Sequence, residues 1–322
     1  MNGMEISFII PTLNEQKHIG AVLEAIEMSV NGRLKYEVLV VDNGSHDRTM
    51  EIAEEHNATC LEAFNCSISS VRNFGAEHSE ADIMVFLDAD VYLTNDWGMH
   101  IKEVIARVQR QHDIITGSFC GISTENNWIE KIWFAPRTAT KEAVYMNSGH
   151  LIVHKDMFTR LGGFAPELET GEDCDFCLRA SQLGGRIEND AALKVVHAGY
   201  PKSVQHFFAR ERWHGRGDYR SIKALVSSKP AMISLANLCM IITCSIGVIY
   251  NRQAFWTYVG IYVLFIAGVS TAAAIHRCHG NMTSSLFGTT FLYMIYITAR
   301  SVAMIDMLVQ SITVRRPLRA TG

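Results

Sequence analysis

Short apolar segments alternate with helical patterns along the first half of the chain. The apolar segments cover residues 6–10, 36–41 and 83–87. Between the first two, apolar residues recur three and four positions apart, which indicates an amphipathic helix. Near-continuous apolar strands separated by helices are typical of parallel βαβ units whose sheet is covered on both faces. The pattern therefore predicts an α/β domain with a mostly parallel central sheet and helices on both of its faces.

Polar residues follow each of these apolar segments. Residues 11–15 (PTLNE) follow the first segment, Asp42 follows the second, and Asp88 and Asp90 follow the third. Because ligands of open α/β sheets bind outside the carboxyl ends of the strands, we expect these side chains along one rim. Carboxylates such as Asp88 and Asp90 bind Mg²⁺ or Mn²⁺ together with substrate phosphates. By itself, an Asp-x-Asp also fits a strand that ends in a polar turn.

A second acidic segment begins a predicted helix near residue 172. Glu172, Asp173 and Asp175 occupy its first turn, and apolar positions follow them. Carboxylates in a first turn are also favoured by the helix dipole alone, so the segment needs its context to be interpreted. Asp175 lies one turn before Arg179, and we expect these two side chains to form an ion pair.

Composition changes sharply after about residue 230. Residues 231–250 and 254–275 contain no charged side chain, and each segment is long enough to cross a hydrocarbon core of about 30 Å. They predict two transmembrane helices, and buried helices of a large soluble core are the alternative. A third hydrophobic segment, about residues 283–310, is polar in places and is either spanning or interfacial. We therefore divide the chain into an N-terminal α/β domain, residues 1–222, and a C-terminal membrane region, residues 223–322.

The distribution of charge predicts an orientation for the membrane region. Lys223 and Lys229 precede the first predicted span, so the positive-inside rule places the α/β domain in the cytoplasm. If the third segment also spanned, the three arginines after residue 314 would lie on the opposite side, against this rule. We therefore favour two spans followed by an interfacial or re-entrant helix, and a location in the cell inner membrane.

Net charge and short motifs argue against several other classes of protein. The formal net charge of −4 and a pI near 6.3 give no support for nucleic-acid binding. The Cys-x-x-Cys at residues 174–177 has no second pair, which a four-ligand zinc site would require. The sequence contains no Gly-x-Gly-x-x-Gly or Walker loop, which weakens a dinucleotide-binding or P-loop interpretation.

Six segments in a fixed order resemble the inverting GT-A glycosyltransferases of family 2, which use nucleotide-activated sugars. They extend over roughly residues 5–220, and their order and spacing together are specific. The segments are 11–15 (PTLNE), 41–49 (VDNGSHDRT), 71–75 (VRNFG), 87–90 (LDAD), 161–164 (LGGF) and 171–175 (GEDCD). The resemblance implies a GT-A (Rossmann-like) catalytic domain over residues 1–222.

The resemblance also implies roles for particular residues. Asp42 would hold the base or ribose of the nucleotide, and Arg72 would lie near the nucleotide or its phosphates. The residues implied in nucleotide-sugar binding are Pro11, Asn14, Glu15, Asp42, Arg72 and Asp88. A divalent metal ion, Mn²⁺ or Mg²⁺, would be bound by Asp90 and Asp88, with His197 completing the site. In family 2 the aspartate of the Glu-Asp pattern is usually the general base, which favours Asp173 with Glu172 as the alternative.

A basic and aromatic segment follows the predicted α/β domain core. Arg212 and Trp213 match part of an Arg-Trp element found in processive members of the family, although the full pattern is absent. Mixed cationic and aromatic side chains suit either a diphosphate or a membrane surface. We therefore assign Arg212 and Trp213 to the acceptor or phosphate side.

These features predict a membrane-anchored inverting glycosyltransferase. Its partners would be a nucleotide sugar, the membrane and a lipid-linked or membrane-presented acceptor, and no nucleic acid. One alternative is a non-catalytic nucleotide-sugar sensor or scaffold, which the intact carboxylates disfavour. Another is a processive polysaccharide synthase, which two or three spans disfavour because they can hardly enclose a pore.

Overall fold

The computed structural model describes residues 4–30, 32–122, 127–134, 143, 145–219, 221–277 and 286–314. The chain divides into two compact units. The first unit comprises Met1–Asn126 with Arg137–Tyr200, and the second comprises Asn127–Pro136 with Pro201–Gly322. The last stretch of the first unit ends at Tyr200, and the domain boundary predicted at residue 222 stays a prediction.

Within the described residues of the first unit, seven strands form the central sheet. They are β1 (Ile6–Thr12), β2 (Tyr36–Asp42), β3 (Thr59–Glu62), β4 (Ile83–Leu87), β6 (Ile114–Gly117), β8 (His150–His154) and β9 (Arg186–Ile187). The strand order is β3-β2-β1-β4-β8-β6-β9. Strands β3, β2, β1 and β4 are parallel, as is the β6–β9 pair, whereas β8 is antiparallel to both of its neighbours. The predicted α/β class with a mostly parallel sheet is confirmed.

A smaller sheet extends the rim of the same unit. Its strands are β5 (Val91–Leu93), β7 (Gly121–Ile122) and β10 (Val195–His197). Strand β10 lies between the other two, antiparallel to β5 and parallel to β7. Strand β5 directly follows Asp90. Its pairing with β10 therefore places the end of β10 beside the acidic motif that follows β4.

Helices connect the strands of the first unit. They are α1 (Ile19–Val30), α2 (Thr49–Glu55), α3 (Ile68–His78), α4 (Asn95–Arg110), α5 (Lys155–Leu161) and α6 (Glu172–Gln182). In α1 the apolar positions Ile19, Val22 and Ile26 are fully buried, as the helical spacing predicted. Strand β1 is buried along its whole length, which agrees with its nearly continuous apolar sequence.

A cluster of phenylalanines fixes α6 against the sheet. The ring of Phe164 packs at 5.0 Å on Phe86 of β4 and at 4.8 Å on Phe176 of α6, measured between ring centroids. Phe158 of α5 contacts all three rings. Offset and edge-to-face aromatic pairs of this kind add to the stability gained from burial. The cluster therefore holds the first turn of α6 at a fixed position relative to the end of β4.

The second unit is helical over its described residues. It contains α7 (Val204–Gly215), α8 (Ile222–Ser227), α9 (Lys229–Tyr250), α10 (Phe255–Arg277) and α11 (Leu286–Val314). Three stretches are long and apolar enough to cross a membrane: Lys229–Tyr250, Arg252–Arg277 and Leu286–Gln310. The first two agree with the spans predicted from sequence. The arginines after residue 314, used to predict orientation, lie outside the described residues.

The third hydrophobic segment forms one continuous helix. At about 1.5 Å per residue, α11 is about 43 Å long. A re-entrant segment has to reverse its direction, so the described helix does not support that form of the third segment. It remains spanning or interfacial by length and composition. Residues 283–285 of the predicted segment lie outside the described residues.

Helix α7 packs along α11 and pairs the charges that α11 carries. Arg212 donates two hydrogen bonds to Asp306, at 2.6 and 2.8 Å. Arg300 pairs with Glu211 at 3.5 Å and with Asp218 in a closer contact. Burying a charge is costly unless it is paired, so the pairs with Glu211 and Asp218 offset the burial of Arg300 in an otherwise apolar helix. Both helices belong to the second unit.

The crossing of α1 and α4 generates a test of the fold. A Cβ atom at Gly98 would lie 2.0 Å from the backbone oxygen of Ser29, and a backbone group cannot move aside as a side chain can. We expect Gly98→Ala to destabilise the protein by about 1–3 kcal/mol through overpacking. Thermal unfolding in detergent measures the change. Met99→Ala, on an exposed position of the same helix, is the control and should leave the midpoint nearly unchanged.

Candidate active site

Asp42 organises the loop that follows β2. Its Oδ2 accepts backbone N–H groups from Gly44 at 3.0 Å and Ser45 at 2.8 Å. Its Oδ1 accepts the hydroxyls of Thr12 at 3.2 Å and Ser45 at 2.5 Å. The carboxylate is buried within this loop. Asp42 thus lies at the predicted rim, and its role toward a nucleotide stays a prediction.

Asn14 ties the loop after β1 to the loop after β2. Its φ of 58° is left-handed, a conformation that asparagine tolerates better than most residues. The Asn14 N–H donates to Ser45 Oγ at 2.8 Å, and its Oδ1 accepts the His46 N–H at 2.9 Å. Pro11 lies within β1 beside Val41 of β2. The two motifs that the sequence separated by about thirty residues therefore form one surface.

Glu15 brings a further carboxylate to the same rim. Its backbone N–H donates to Thr49 Oγ1 at 2.8 Å. Burial, together with the negative charges of Asp90 and Asp88, raises the pKa of Glu15 to about 7. Like charges raise a carboxyl pKa only when they are close, so the rim concentrates acidic groups. Such a concentration favours a cation as the ligand.

Asp88, Asp90 and His197 form a cluster of the kind that holds a metal ion. One ligand atom from each of the three residues lies within 4.8 Å of the others. His197 Nδ1 is 3.7 Å from Asp90 Oδ2. The antiparallel pairing of β10 with β5 sets His197 opposite Val91, beside the acidic motif. The structure thus brings together the three residues that the family resemblance implied.

The shape and chemistry of this cluster fit a divalent cation. Carboxylate oxygens suit Mg²⁺ and Mn²⁺, and an imidazole nitrogen in the set favours Mn²⁺. The chain approaches closely here, because a Cβ atom at Gly199 would lie 1.8 Å from Asp90 Oδ2. The ring of His197 stacks on Tyr200, with centroids 4.2 Å apart, and this packing holds the imidazole in place.

Arg72 is buried between two carboxylates from different elements. Its Nη2 donates to Asp88 Oδ1 at 2.6 Å, and its Nη1 donates to Glu172 Oε1 at 2.7 Å. Only 3 % of the residue is exposed. The family resemblance implied that Arg72 lies near the nucleotide or its phosphates. In the structure its guanidinium forms these two ion pairs. A direct phosphate contact stays a prediction.

The two acidic residues that begin α6 have different surroundings. Glu172 Oε1 accepts hydrogen bonds from Arg72 and, at 3.1 Å, from Ser148 Oγ. Asp173 Oδ1 accepts the Cys174 N–H at 2.7 Å. Burial and the neighbouring charge of Glu172 raise the pKa of Asp173 to about 6. Glu172 is therefore held as a charged partner of Arg72, whereas Asp173 has the pKa of a carboxyl that exchanges protons near neutral pH.

Asp175 forms the ion pair expected from its spacing. Arg179 Nε donates to Asp175 Oδ2 at 2.8 Å. The same guanidinium donates to the backbone oxygens of Leu161 and Gly163, at 2.6 and 2.9 Å. Arg179 therefore joins α6 to the LGGF turn, a contact that the sequence spacing alone did not reveal.

Sequence reasoning missed several residues around the site. Asn73 clasps the backbone of Phe164, donating to its oxygen at 2.8 Å and accepting its N–H at 2.9 Å. Asn73 stands in the VRNFG motif, which was the available signal. His18 lies 2.9 Å from the hydroxyl of Tyr92, two residues after Asp90. Ser148 and His18 stand in no motif, and only the folded chain shows their contacts.

Arg212 and Trp213, assigned from sequence to the acceptor side, lie in the second unit. Arg212 is paired with Asp306. Trp213 is 43 % exposed, which suits an interfacial tryptophan. Their assignment to the acceptor stays a prediction.

Comparisons with known proteins agree with this geometry. The model of glycosyl transferase family 2 matches residues 7–165. The glycosyltransferase AglE of Haloferax volcanii is 28% identical over 191 residues, which are 56% of this chain and 62% of that protein. The dolichol-phosphate mannosyltransferase of Pyrococcus furiosus is 32% identical over 203 residues, which are 60% of this chain and 51% of that protein. This chain thus spans less than two thirds of the length of these relatives.

A solved structure shows the same fold at low sequence identity. The mannosyltransferase PcManGT from Pyrobaculum calidifontis, in complex with GDP-Man and Mn²⁺, superposes with a TM-score of 0.58 at 18% identity. The match covers 96% of this chain and 88% of that one. The six sequence motifs, the sheet and these matches lead to one conclusion: residues 7–165 match a glycosyl transferase family 2 domain, and the fold is GT-A-like.

Proposed function

We propose that the protein is a membrane-anchored inverting glycosyltransferase. It moves a sugar from a nucleoside diphosphate donor to a hydroxyl or phosphate of a membrane-associated, lipid-linked acceptor. The observation that carries the proposal is the convergence of Asp88, Asp90 and His197 at one rim, with the carboxyl of Asp173 joined to that rim through Glu172 and Arg72. This arrangement supplies one group for a leaving diphosphate and another for an attacking hydroxyl.

The comparisons support a nucleotide-sugar donor and a lipid acceptor. The structural neighbour PcManGT was solved with GDP-Man and Mn²⁺. One relative is named a dolichol-phosphate mannosyltransferase, and dolichol phosphate is a lipid. Three helices of the described chain are long and apolar enough to hold the enzyme at a membrane, where such an acceptor would be. The positive residues before the first helix favour a catalytic domain on the cytoplasmic side of the inner membrane.

Asp88, Asp90 and His197 would hold the divalent cation. When bound, such an ion neutralises the negative charge that develops on a leaving diphosphate. The protein's own part is to fix the ligands. Arg72 fixes Asp88 by a hydrogen bond to the Oδ1 atom of Asp88, and the stacking of His197 on Tyr200 holds the imidazole. Fixed opposite charge at the leaving group is usually a large contribution to catalysis.

Asp173 acts as the general base. It takes the proton from the attacking hydroxyl, and a base on the face opposite the leaving group gives inversion, as in inverting glycosidases. A base works best when its pKa is near the working pH, and burial brings the pKa of Asp173 to about 6. Glu172, the alternative in the sequence analysis, is less suited because Arg72 and Ser148 hold its carboxylate.

The function is tested by separating donor binding from transfer. Purified protein in liposomes with extracted lipid acceptors is incubated with Mn²⁺ and a panel of nucleotide sugars, and released nucleotide and labelled lipid are measured. Asp173→Asn should reduce transfer by about 10²–10⁴-fold and leave donor affinity within a few-fold, because the amide keeps the shape but is not a base. Asp113→Asn, at a partly exposed residue that pairs with Arg186, is the control.

Three results would contradict parts of the proposal. Full activity of Asp173→Asn would remove the base assignment. Absence of transfer with every donor in the wild-type protein would contradict the enzyme assignment and favour a sensor or scaffold. A product that keeps the donor's anomeric configuration, determined by NMR, would exclude inversion.

The pKa of Asp173 predicts a pH dependence. The base must be deprotonated to accept a proton, so activity is present above its pKa and is lost as the pH falls through that value. We expect kcat to fall about tenfold for each pH unit below about pH 6. Initial rates at saturating donor, measured from about pH 4.5 to about pH 8, define this acidic limb of the pH–rate profile. A rate independent of pH in this range would remove Asp173 as the base.

The close approach at Gly199 predicts a way to disturb the metal cluster without changing a ligand. In Gly199→Ala the new Cβ atom would displace the carboxylate of Asp90, from which it would otherwise be 1.8 Å away. We expect Mn²⁺-dependent nucleotide affinity to fall about tenfold or more. Isothermal titration calorimetry with and without Mn²⁺ measures this effect. Ala198→Ser, at the preceding position, is the control, and equal affinities in the two variants would contradict the assignment of the cluster.

A further inference from the structure

Arg72 lies where three separate parts of the first unit meet. It belongs to α3, and its two Nη atoms contact Asp88 at the end of β4 and Glu172 in the first turn of α6. Glu172 is also bound by Ser148, from the segment that precedes β8. The guanidinium therefore joins the acidic motif that follows β4 to the helix that carries Asp173.

We propose that Arg72 is a positioning residue that, through Glu172, holds the carboxylate of Asp173 in register with the Asp88–Asp90 edge. This inference rests on the proposed function, because it assigns Asp173 as the base. It gives Arg72 and Glu172 roles other than phosphate contact and proton transfer. The group formed by Arg72, Asp88 and Glu172 is called the Arg72 triad below.

The geometry of the triad suits an arginine and no other cation. Guanidinium is planar and donates from two nitrogens in a fixed fork, so it sets the direction of both partners at once. The two contacts, at 2.6 and 2.7 Å, are in the range of strong charge-assisted hydrogen bonds. Lysine is a point charge on a flexible stem and would hold only one carboxylate well.

A second contact from α3 fixes the apolar face of α6. The side chain of Asn73, next to Arg72, forms hydrogen bonds with both the backbone N–H and the backbone oxygen of Phe164. Phe164 in turn packs on Phe176 within α6. Helix α6 is thus located from α3 at its first turn by Arg72 and along its apolar face through Phe164. With two such points, a change at Arg72 should displace the first turn of α6 while the rest of the helix remains packed.

The charges of the triad act on Asp173 with opposite signs. Burial raises the pKa of Asp173 most, and the neighbouring negative charge of Glu172 raises it further. The positive charge of Arg72 lowers it, as do hydrogen bonds from Cys174. Removing the charge of Glu172 should therefore lower the pKa of Asp173, and removing the charge of Arg72 should raise it. A charge that did not act on Asp173 would leave its pKa unchanged.

The test measures the acidic limb of kcat, together with donor KM, for the full-length protein and its variants in liposomes. In Glu172→Gln we expect the limb to move to lower pH by about one unit. In Arg72→Gln it should move to higher pH. In Arg72→Lys the positive charge remains but the two-nitrogen fork is lost. We therefore expect the acidic limb to stay in place, kcat to fall about tenfold or more, and donor KM to change little.

Controls separate positioning from the other roles. If Arg72→Gln fails to fold, Glu172→Gln and Arg72→Lys decide the question, because both preserve most of the shape of the side chain. An unmoved limb with wild-type kcat in Glu172→Gln would overturn the proposal. A large rise in donor KM with an unchanged kcat in Arg72→Lys would also overturn it, since that result indicates direct contact with the nucleotide.

A measurement without turnover distinguishes this inference from the proposed function. The carboxyl ¹³C chemical shift of Asp173, followed against pH by NMR, reports its pKa whether or not a donor is known. Shifts of opposite sign in Glu172→Gln and Arg72→Gln would support the triad even if no tested sugar were transferred. If neither variant changed this pKa, the triad would be refuted while the wild-type transferase activity stood.

Discussion

A buried guanidinium must be neutralised, and this requirement joins the separate parts of the site. Arg72 is 3 % exposed and is balanced by Asp88 on one side and Glu172 on the other. Breaking a buried pair by removing one partner costs about 3–5 kcal/mol, because the remaining charge stays out of water. The end of β4 and the beginning of α6 are therefore held together by charge balance. The metal cluster and the proposed base depend on that arrangement.

The acidic rim has a second consequence. Burial and the nearby charges of Asp90 and Asp88 raise the pKa of Glu15, and His197 adds an imidazole to the two aspartates. Fixed negative groups of this kind are stabilised by a cation, and a cation in turn attracts a diphosphate. The negative charges that repel one another at the rim would thus favour a bound cation.

The second unit solves a different electrostatic problem. The apolar helix α11 carries Arg300, which is largely buried, and the partly exposed Asp306, and α7 supplies a partner for each through Glu211 and Arg212. The basic and aromatic segment that the sequence linked to the acceptor thereby also has a structural task. An arginine committed to a bidentate pair is less available to a phosphate, whereas the half-exposed Trp213 remains suited to an interface.

The sequence by itself determined the α/β class, the acidic motif after β4 and the apolar C-terminal helices. Each of these depends on residues close together in the chain, where periodicity and composition are informative. The resemblance to a family added the set Asp88, Asp90 and His197. Tertiary structure alone decided that Arg72 pairs with residues 16 and 100 positions away, and that Glu172 accepts hydrogen bonds from Arg72 and Ser148 whereas Asp173 accepts one from the adjacent Cys174 N–H. Such choices depend on which side chains meet after folding and on how deeply each is buried, and no local pattern records either.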